Sequence, residues 1–301
     1  MSSSPSRGNA SRLRRRPGAT LAILLLLAGC TPSPRDLPLT LTRVQTLPDV
    51  GAAQGVAMHN GLLYIYGDAD TGIVREYRLA TLPGPAVVPT GRVIRLTVGG
   101  EDVAPHPTGL TFHPSLGCFL GDTVRRRGRI FHIDFDRALR TGTLDGAIFH
   151  VVDDDAAVNG TRPEFVFFRG RWLLATSDYG PGPNFVRFYD PHRLRTARRT
   201  TEPGVEVHRV PCGPWVQTLF YRRETGQLVL VQNQIEGLRW RLTVVDHLDT
   251  PDYTAGRVID FDHPTDELEG FVTVGDRIGV FVTAMRENNL VLAVSSTRRR
   301  P

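Results

Sequence analysis

From residue 55 onward the chain repeats one motif at a nearly constant spacing, and that periodicity constrains the fold more than any other property of the sequence. Each copy is a short apolar strand, a hairpin turn, a second strand ending in a small or polar residue, a loop and a third strand. The first copy opens at Gly55-Val-Ala-Met-His, turns at Asn60-Gly61, and continues through 62–68 and 73–77. The others open at Gly109, Glu164, Gln217 and Gly270, so the steps are 54, 55, 53 and 53 residues. The strands are rich in β-branched and aromatic residues and are bounded by Gly, Asn, Asp and Pro. No segment carries a helical periodicity. Short strands repeated in this way form the radial blades of a β-propeller.

A fourth, outer strand follows in four copies, at 92–96, 147–151, 205–209 and 257–261. The fifth copy lacks one, while an orphan strand at 41–47 precedes the first copy. Pairing the orphan with the last copy closes the ring and removes the unpaired sheet edges that promote aggregation. The sequence therefore predicts an all-β chain: a single five-bladed β-propeller of four-stranded blades over residues 40–295, with a basic tail at 296–301. Pro107-Thr-Gly-Leu-Thr-Phe-His-Pro114 and Leu268-Glu-Gly-Phe271 resemble phrases of the NHL-like and senescence-marker/gluconolactonase-like propellers. That resemblance implies the fold rather than an activity.

Ahead of the repeats, Arg12, Arg14, Arg15 and Arg16 precede a leucine-rich apolar run from Ala19 to Ala28. The run is shorter than the ~20 apolar residues of a spanning helix and suits the core of an export signal. It ends in Leu27-Ala-Gly-Cys30, which resembles the lipobox of bacterial lipoproteins. The resemblance implies that residues 1–29 are a signal peptide and that Cys30 is acylated, anchoring the mature protein to a membrane. Residues 30–39 then form a Pro-rich tether. Thr31, in place of Asp, implies outer-membrane sorting in a cell with two membranes, so the expected location is the cell envelope, facing the periplasm or the surface.

The formal net charge is +5, and Arg7, Arg12, Arg14, Arg15 and Arg16 supply five positive charges within the signal. The mature chain is therefore near neutral, which removes the basic surface a nucleic-acid partner requires. Lysine is absent, so Schiff-base chemistry is excluded. Cys118 and Cys212 are expected near opposite faces, beyond the roughly 6 Å Cα separation of a disulfide. The expected state is a monomer.

In each blade, the start of the inner strand and the end of the second strand lie on one face, around the mouth of the central channel. Second-strand ends there are Asp68, Asp122, Asp178, Asn233 and Ala284; inner-strand entries are Gln54, Thr108, Glu164, Gln217 and Glu269. Loops on the same side add Asp70, His106, Arg162, Tyr179, Trp215, His263, Glu267, Arg286 and Glu287. Two functions fit this face. In the first, Gln54, Asp68, Asp122, Asp178, Asn233 and Arg286 bind a small molecule or a protein partner, without assigned catalysis. In the second, Glu269, Asp122 and Asp178 hold a Ca²⁺-like cation, which takes about six to eight oxygens. The ion would polarise a lactone or ester for hydrolysis, with Glu269, His106 or His263 as the catalytic candidates.

Aspartates at strand ends also cap the following turn through backbone N–H groups. Glu269, by contrast, occurs once, with Glu267 two residues earlier, and neighbouring carboxylates raise one another's pKa. Gln54-Gly55 resembles the first inner strand of propeller-type glutaminyl cyclases, although Thr108-Gly109 departs from that pattern in the second blade. Five-bladed glycosidases carry an Asp where this chain has Gln54.

Overall fold

A computed structural model describes residues 37, 39–80, 84–236, 239–246, 248, 256–262, 266–275 and 277–295. Residues 1–36, with the expected signal and Cys30, lie outside the described residues, as do His263 and the tail 296–301. Among the described residues no helix is long and apolar enough to cross a membrane.

Five antiparallel four-stranded sheets make the blades of a propeller. The chain enters with β1 (Leu39–Gln45) and then builds blade 1 from β2 (Ala52–His59), β3 (Leu62–Asp68), β4 (Gly72–Ala80) and β5 (Ala86–Arg95). A small ribbon, β6 (Thr97–Val98) and β7 (Glu101–Asp102), leads to blade 2: β8 (Pro107–His113), β9 (Gly117–Val124), β10 (Arg127–Ile133) and β11 (Ile148–Asp154). Blade 3 is β12 (Glu164–Phe168), β13 (Arg171–Ser177), β14 (Asn184–Tyr189) and β15 (Glu206–Cys212). Blade 4 is β16 (Val216–Arg222), β17 (Gln227–Ile235), β18 (Arg239–Val245) and β19 (Arg257–Phe261). Blade 5 takes β20 (Leu268–Val274), β21 (Ile278–Thr283) and β22 (Leu290–Ser295) from the end of the chain and β1 from its beginning. Thr40 stands opposite Val294 and Val44 opposite Val291, which closes the ring in the manner the sequence predicts.

The hairpins follow from turn chemistry. Asn60-Gly61 and Arg169-Gly170 both adopt positive φ at the two turn positions, the geometry whose twist matches that of the flanking strands. The core is divided among the wedges between neighbouring blades. Tyr64, Leu110, Phe112 and Phe131 pack between blades 1 and 2, Phe119, Phe165 and Tyr189 between 2 and 3, and Phe168, Leu219 and Leu230 between 3 and 4. Trp240, Phe271 and Phe281 fill the wedge between blades 4 and 5, and Val56, Ile65 and Val280 that between 5 and 1.

One element departs from the all-strand expectation. Helix α1 (Phe135–Thr141) links β10 to β11. Asp134 caps it by accepting from the Arg137 N–H at 2.9 Å, and Gly142 ends it at φ 74°. Seven residues are too few to show a 3.6-residue period, but both capping residues are characteristic. Its Phe135 docks edge-on against Tyr64 and Phe112, at 5.0 and 4.7 Å between ring centroids. Cys118 and Cys212 are free thiols at the start of β9 and the end of β15.

Candidate ligand site at the channel mouth

Four of the five inner strands carry a bulge at the same point. In blade 1, Ala53 faces Gly67 and Gly55 faces Tyr66, so Gln54 has no opposite residue. The same skip frees Thr108 in blade 2, Gln217 in blade 4 and Glu269 in blade 5. A bulge releases one residue from the ladder and re-aims its side chain. In blade 3, β12 pairs without a skip, and Arg162 from the preceding loop takes the fifth place. Gln54, Thr108, Arg162, Gln217 and Glu269, one from each blade, thus line a cavity of about 260 Å³, with His106, Thr123, Asn159, Tyr179 and Glu267 around them.

Arg162 is 4 % exposed. Its Nη1 donates to the Asn159 carbonyl at 3.3 Å, its Nη2 to Gln217 Oε1 at 3.4 Å, and its guanidinium lies over the Tyr179 ring at 4.8 Å. Its Nε is buried without a partner among the described residues. Burial lowers the guanidinium pKa to about 10, with Glu269 the strongest opposing influence, so the group remains a cation. Glu269 is 2 % exposed. Burial pushes its carboxyl well above the usual range; the hydrogen bond with Gln217 and the charge of Arg162 oppose this, while the charge of Glu267 and a hydrogen bond with it add to it. The hydrogen bond between the Glu269 and Glu267 carboxyl groups requires them to share a proton. Gln234, held at φ 50°, donates through Nε2 to the Tyr179 hydroxyl at 2.7 Å and to Glu267 Oε1 at 2.9 Å. The Tyr179 hydroxyl donates to Asn233 Oδ1 at 3.3 Å.

The charge state of Glu269 has a measurable consequence. Its raised pKa favours the folded state fully below the ordinary carboxyl pKa, and that advantage is lost as pH rises toward the folded value. Glu269→Gln removes the cost of ionisation, so its stability relative to wild type is expected to rise from pH 4 to pH 8 in urea titrations. An ion-paired Glu269 carboxylate would give the reverse slope.

The register explains where the other residues go. Counting outward from the bulge, Gly67, Asp122, Gln232 and Thr283 are equivalent, and the next positions are Asp68, Thr123, Asn233 and Ala284. Asp122 is thus one residue out of phase with Asp68, and Thr123 lines the cavity instead. Fully buried, Asp122 accepts from the His106 N–H at 3.0 Å and from Arg129 Nη2 at 2.6 Å. Asp178 accepts from the Val158 and Phe185 N–H groups at 2.8 and 3.0 Å and from Arg187 Nε and Nη2 at 3.0 and 3.2 Å. Each carboxylate is spent on a loop cap and an arginine, so neither is gathered with Glu269 around a common centre. Among the described residues no group of three or more His, Cys, Asp or Glu side chains is placed to hold a metal ion. His106 lines the cavity and its Nδ1 hydrogen-bonds Asp68 Oδ2 at 3.0 Å. Asn233 stands behind Tyr179, with its Nδ2 buried and without a partner among the described residues. Arg286 is exposed and is not part of the cavity lining. Thr123, Asn159 and Gln234 are not marked by the sequence pattern, because each depends on a shift in register or a loop path.

No protein-family model matches the chain, and no curated protein matches it. Among solved structures, the chain is similar to MPT-4, a mannose phosphorylase from Leishmania mexicana in complex with phosphate ion. The identity is 12 %, the match covers 85 % of this chain and 88 % of that one, and the TM-score is 0.45.

Proposed function

We propose that this chain is a lipid-anchored protein of the bacterial cell envelope whose propeller binds a small, neutral, hydrogen-bonding ligand at the channel mouth. The observation that carries the reading is the convergence of one polar side chain from every blade on one cavity. A loop cap needs no such convergence. The lining mixes donors (Arg162, Thr108 and the Gln54 and Gln217 amides) with acceptors (Glu267 and the same amides' oxygens), and it sets the Arg162 cation against the Glu267 and Glu269 carboxyl groups. Hydroxyl groups both donate and accept, so a polyhydroxylated ligand matches this set better than an ion does. A site of this size suits a molecule of roughly monosaccharide volume. The anchor is supported by Leu27-Ala-Gly-Cys30 and the charged and apolar segments before it.

The test is a thermal melt of the full chain against monosaccharides, inositol and small carboxamides at millimolar concentration. A ligand specific for the folded state stabilises it by about 2.7 kcal/mol at a hundredfold excess over Kd. At least one polyhydroxyl compound is expected to raise the midpoint, and Gln217→Ala to abolish the rise. A panel with no shift would sink the reading. Restoring Ca²⁺ after EDTA is expected to leave the midpoint in place; a shift lost in Glu269→Gln would replace this reading with the metal-dependent hydrolase. Labelling with a palmitate analogue, lost in Cys30→Ser, tests the anchor.

A further inference from the structure

Tyr66 crosses the channel below the mouth. It is 1 % exposed, it stands opposite Gly55, and its hydroxyl is hydrogen-bonded to Thr218 of blade 4. A Cβ on Gly55 would lie 2.2 Å from that hydroxyl, so the glycine is required for the tyrosine to lie there. Beyond Tyr66, toward the hairpin-turn end of the inner strands, a second cavity of about 390 Å³ opens, with lining from all five blades.

The walls combine an apolar part, with Val56, Leu110, Phe112, Phe220 and Val272, and a polar part that includes Arg222, Arg223 and Thr218. Two carboxyl groups line this space, that of the exposed Glu224 and that of Glu164 at the start of β12. Glu164 Oε1 accepts from the Tyr221 N–H at 3.1 Å. Burial pushes its pKa up to about 7, against the hydrogen bonds from the Tyr221 backbone and the Thr111 side chain and the charge of Arg223.

No cation is paired with Glu164 among the described residues. Arg223 donates to the Phe112 carbonyl and lies over the Trp172 ring at 5.0 Å. Arg222 donates to Gln227. The remaining ionisable groups lining the cavity are Glu224 beside Arg223, His59 at the end of β2, Tyr66 and Tyr221. Burial lowers the His59 pKa, and its ring stacks on Phe112 at 4.2 Å, so it supplies no positive charge at neutral pH.

The Glu164 carboxyl, beside the apolar part of this wall, is held by hydrogen bonds and by no ion pair among the described residues, which leaves a close counter-ion to be supplied by a ligand. We propose that this cavity is a second binding site, for an organic amine whose ammonium group meets Glu164 and whose apolar body lies against Phe112 and Phe220. Binding displaces the proton of Glu164 to solvent whenever that group is protonated beforehand. The volume falls in the usual range for small-molecule sites, roughly 300–1,000 Å³.

The experiment is calorimetric titration of the full chain with 2-phenylethylamine and with its neutral counterpart 2-phenylethanol, at pH 8 and pH 5.5. The amine is expected to bind at least tenfold tighter than the alcohol at pH 8. At pH 5.5 its affinity should fall roughly 30-fold, as a carboxyl group titrating near 7 requires, while the alcohol's should not change. Glu164→Gln keeps an acceptor for the Tyr221 N–H and is expected to erase both the preference and the pH dependence. The pH arm uses wild-type protein, so it stands whether or not the variant folds. Equal affinity for amine and alcohol, a flat pH profile for the amine, or no binding of either overturns the proposal. Gln217→Ala should leave amine binding unchanged, which separates the fate of this site from that of the mouth.

Discussion

Deleting residues 1–46, so that the chain begins at Leu47, is expected to abolish the cooperative fold. The deletion removes β1 and leaves the backbone edge of β22 unpaired, an open template for association with other chains. It also strips Leu37, Leu39 and Leu41 from the wedge that contains Trp240, Phe281 and Val291. Burial of one such side chain is worth about 1.5–3 kcal/mol, and whole domains are stable by only about 5–15 kcal/mol. Three leucines and a strand ladder together are comparable with that margin. Size-exclusion chromatography and circular dichroism would show aggregation or loss of the cooperative melt, and a peptide spanning 37–46 added in trans should restore part of it. A monomer melting within a few degrees of the intact chain would mean that blade 5 is complete with three strands.

The second large effect is expected at Arg187. This guanidinium is buried between Asp178, at 3.0 Å, and Glu206, at 3.0 Å, and Asp178 itself is inaccessible. Arg187→Met leaves the Asp178 charge in the interior without its cation, a change that typically costs about 3–5 kcal/mol. Removing both charges in the Arg187→Met, Asp178→Asn double variant should recover part of the loss, because no uncompensated ion then remains. The comparable Arg129→Met change should cost less, since the Arg129 side chain is 35 % exposed and water can replace it. Urea titrations at neutral pH give all three values. A loss below about 1 kcal/mol for Arg187→Met would show that water or a neighbouring group takes over the solvation of Asp178.

The fold was legible because a propeller is written in a repeat. Five apolar strands at steps of 53 to 55 residues, each with its hairpin turn, leave few alternative topologies, and the orphan strand before the first copy matches the missing one after the last. The mouth was legible as a face rather than as a site. Gln54, Gln217, Glu269, Arg162 and Tyr179 all lie where the antiparallel pairing of inner and second strands requires. What the sequence conceals is phase. Asp68, Asp122 and Asp178 look alike at three strand ends, yet pairing shifts Asp122 one place relative to Asp68, and a one-residue shift turns a side chain to the other face. The bulges behind that shift leave a trace where glycine follows the freed residue, in Gln54-Gly55, Thr108-Gly109 and Glu269-Gly270, but not in Gln217-Thr218. Helix α1 escaped for the opposite reason: its signals are its caps, not its period.

Because blade 5 joins the first described strand to the last, it is also the last blade that can form. Strand β1 begins at Leu39 and its partner β22 at Leu290, so the first strand synthesised waits for nearly the whole of the chain. At typical elongation rates of about 5–20 residues per second that wait is roughly 12–50 s. Throughout it the four earlier blades lack the wall that closes the ring, and β1 is free for any factor that recognises extended chain.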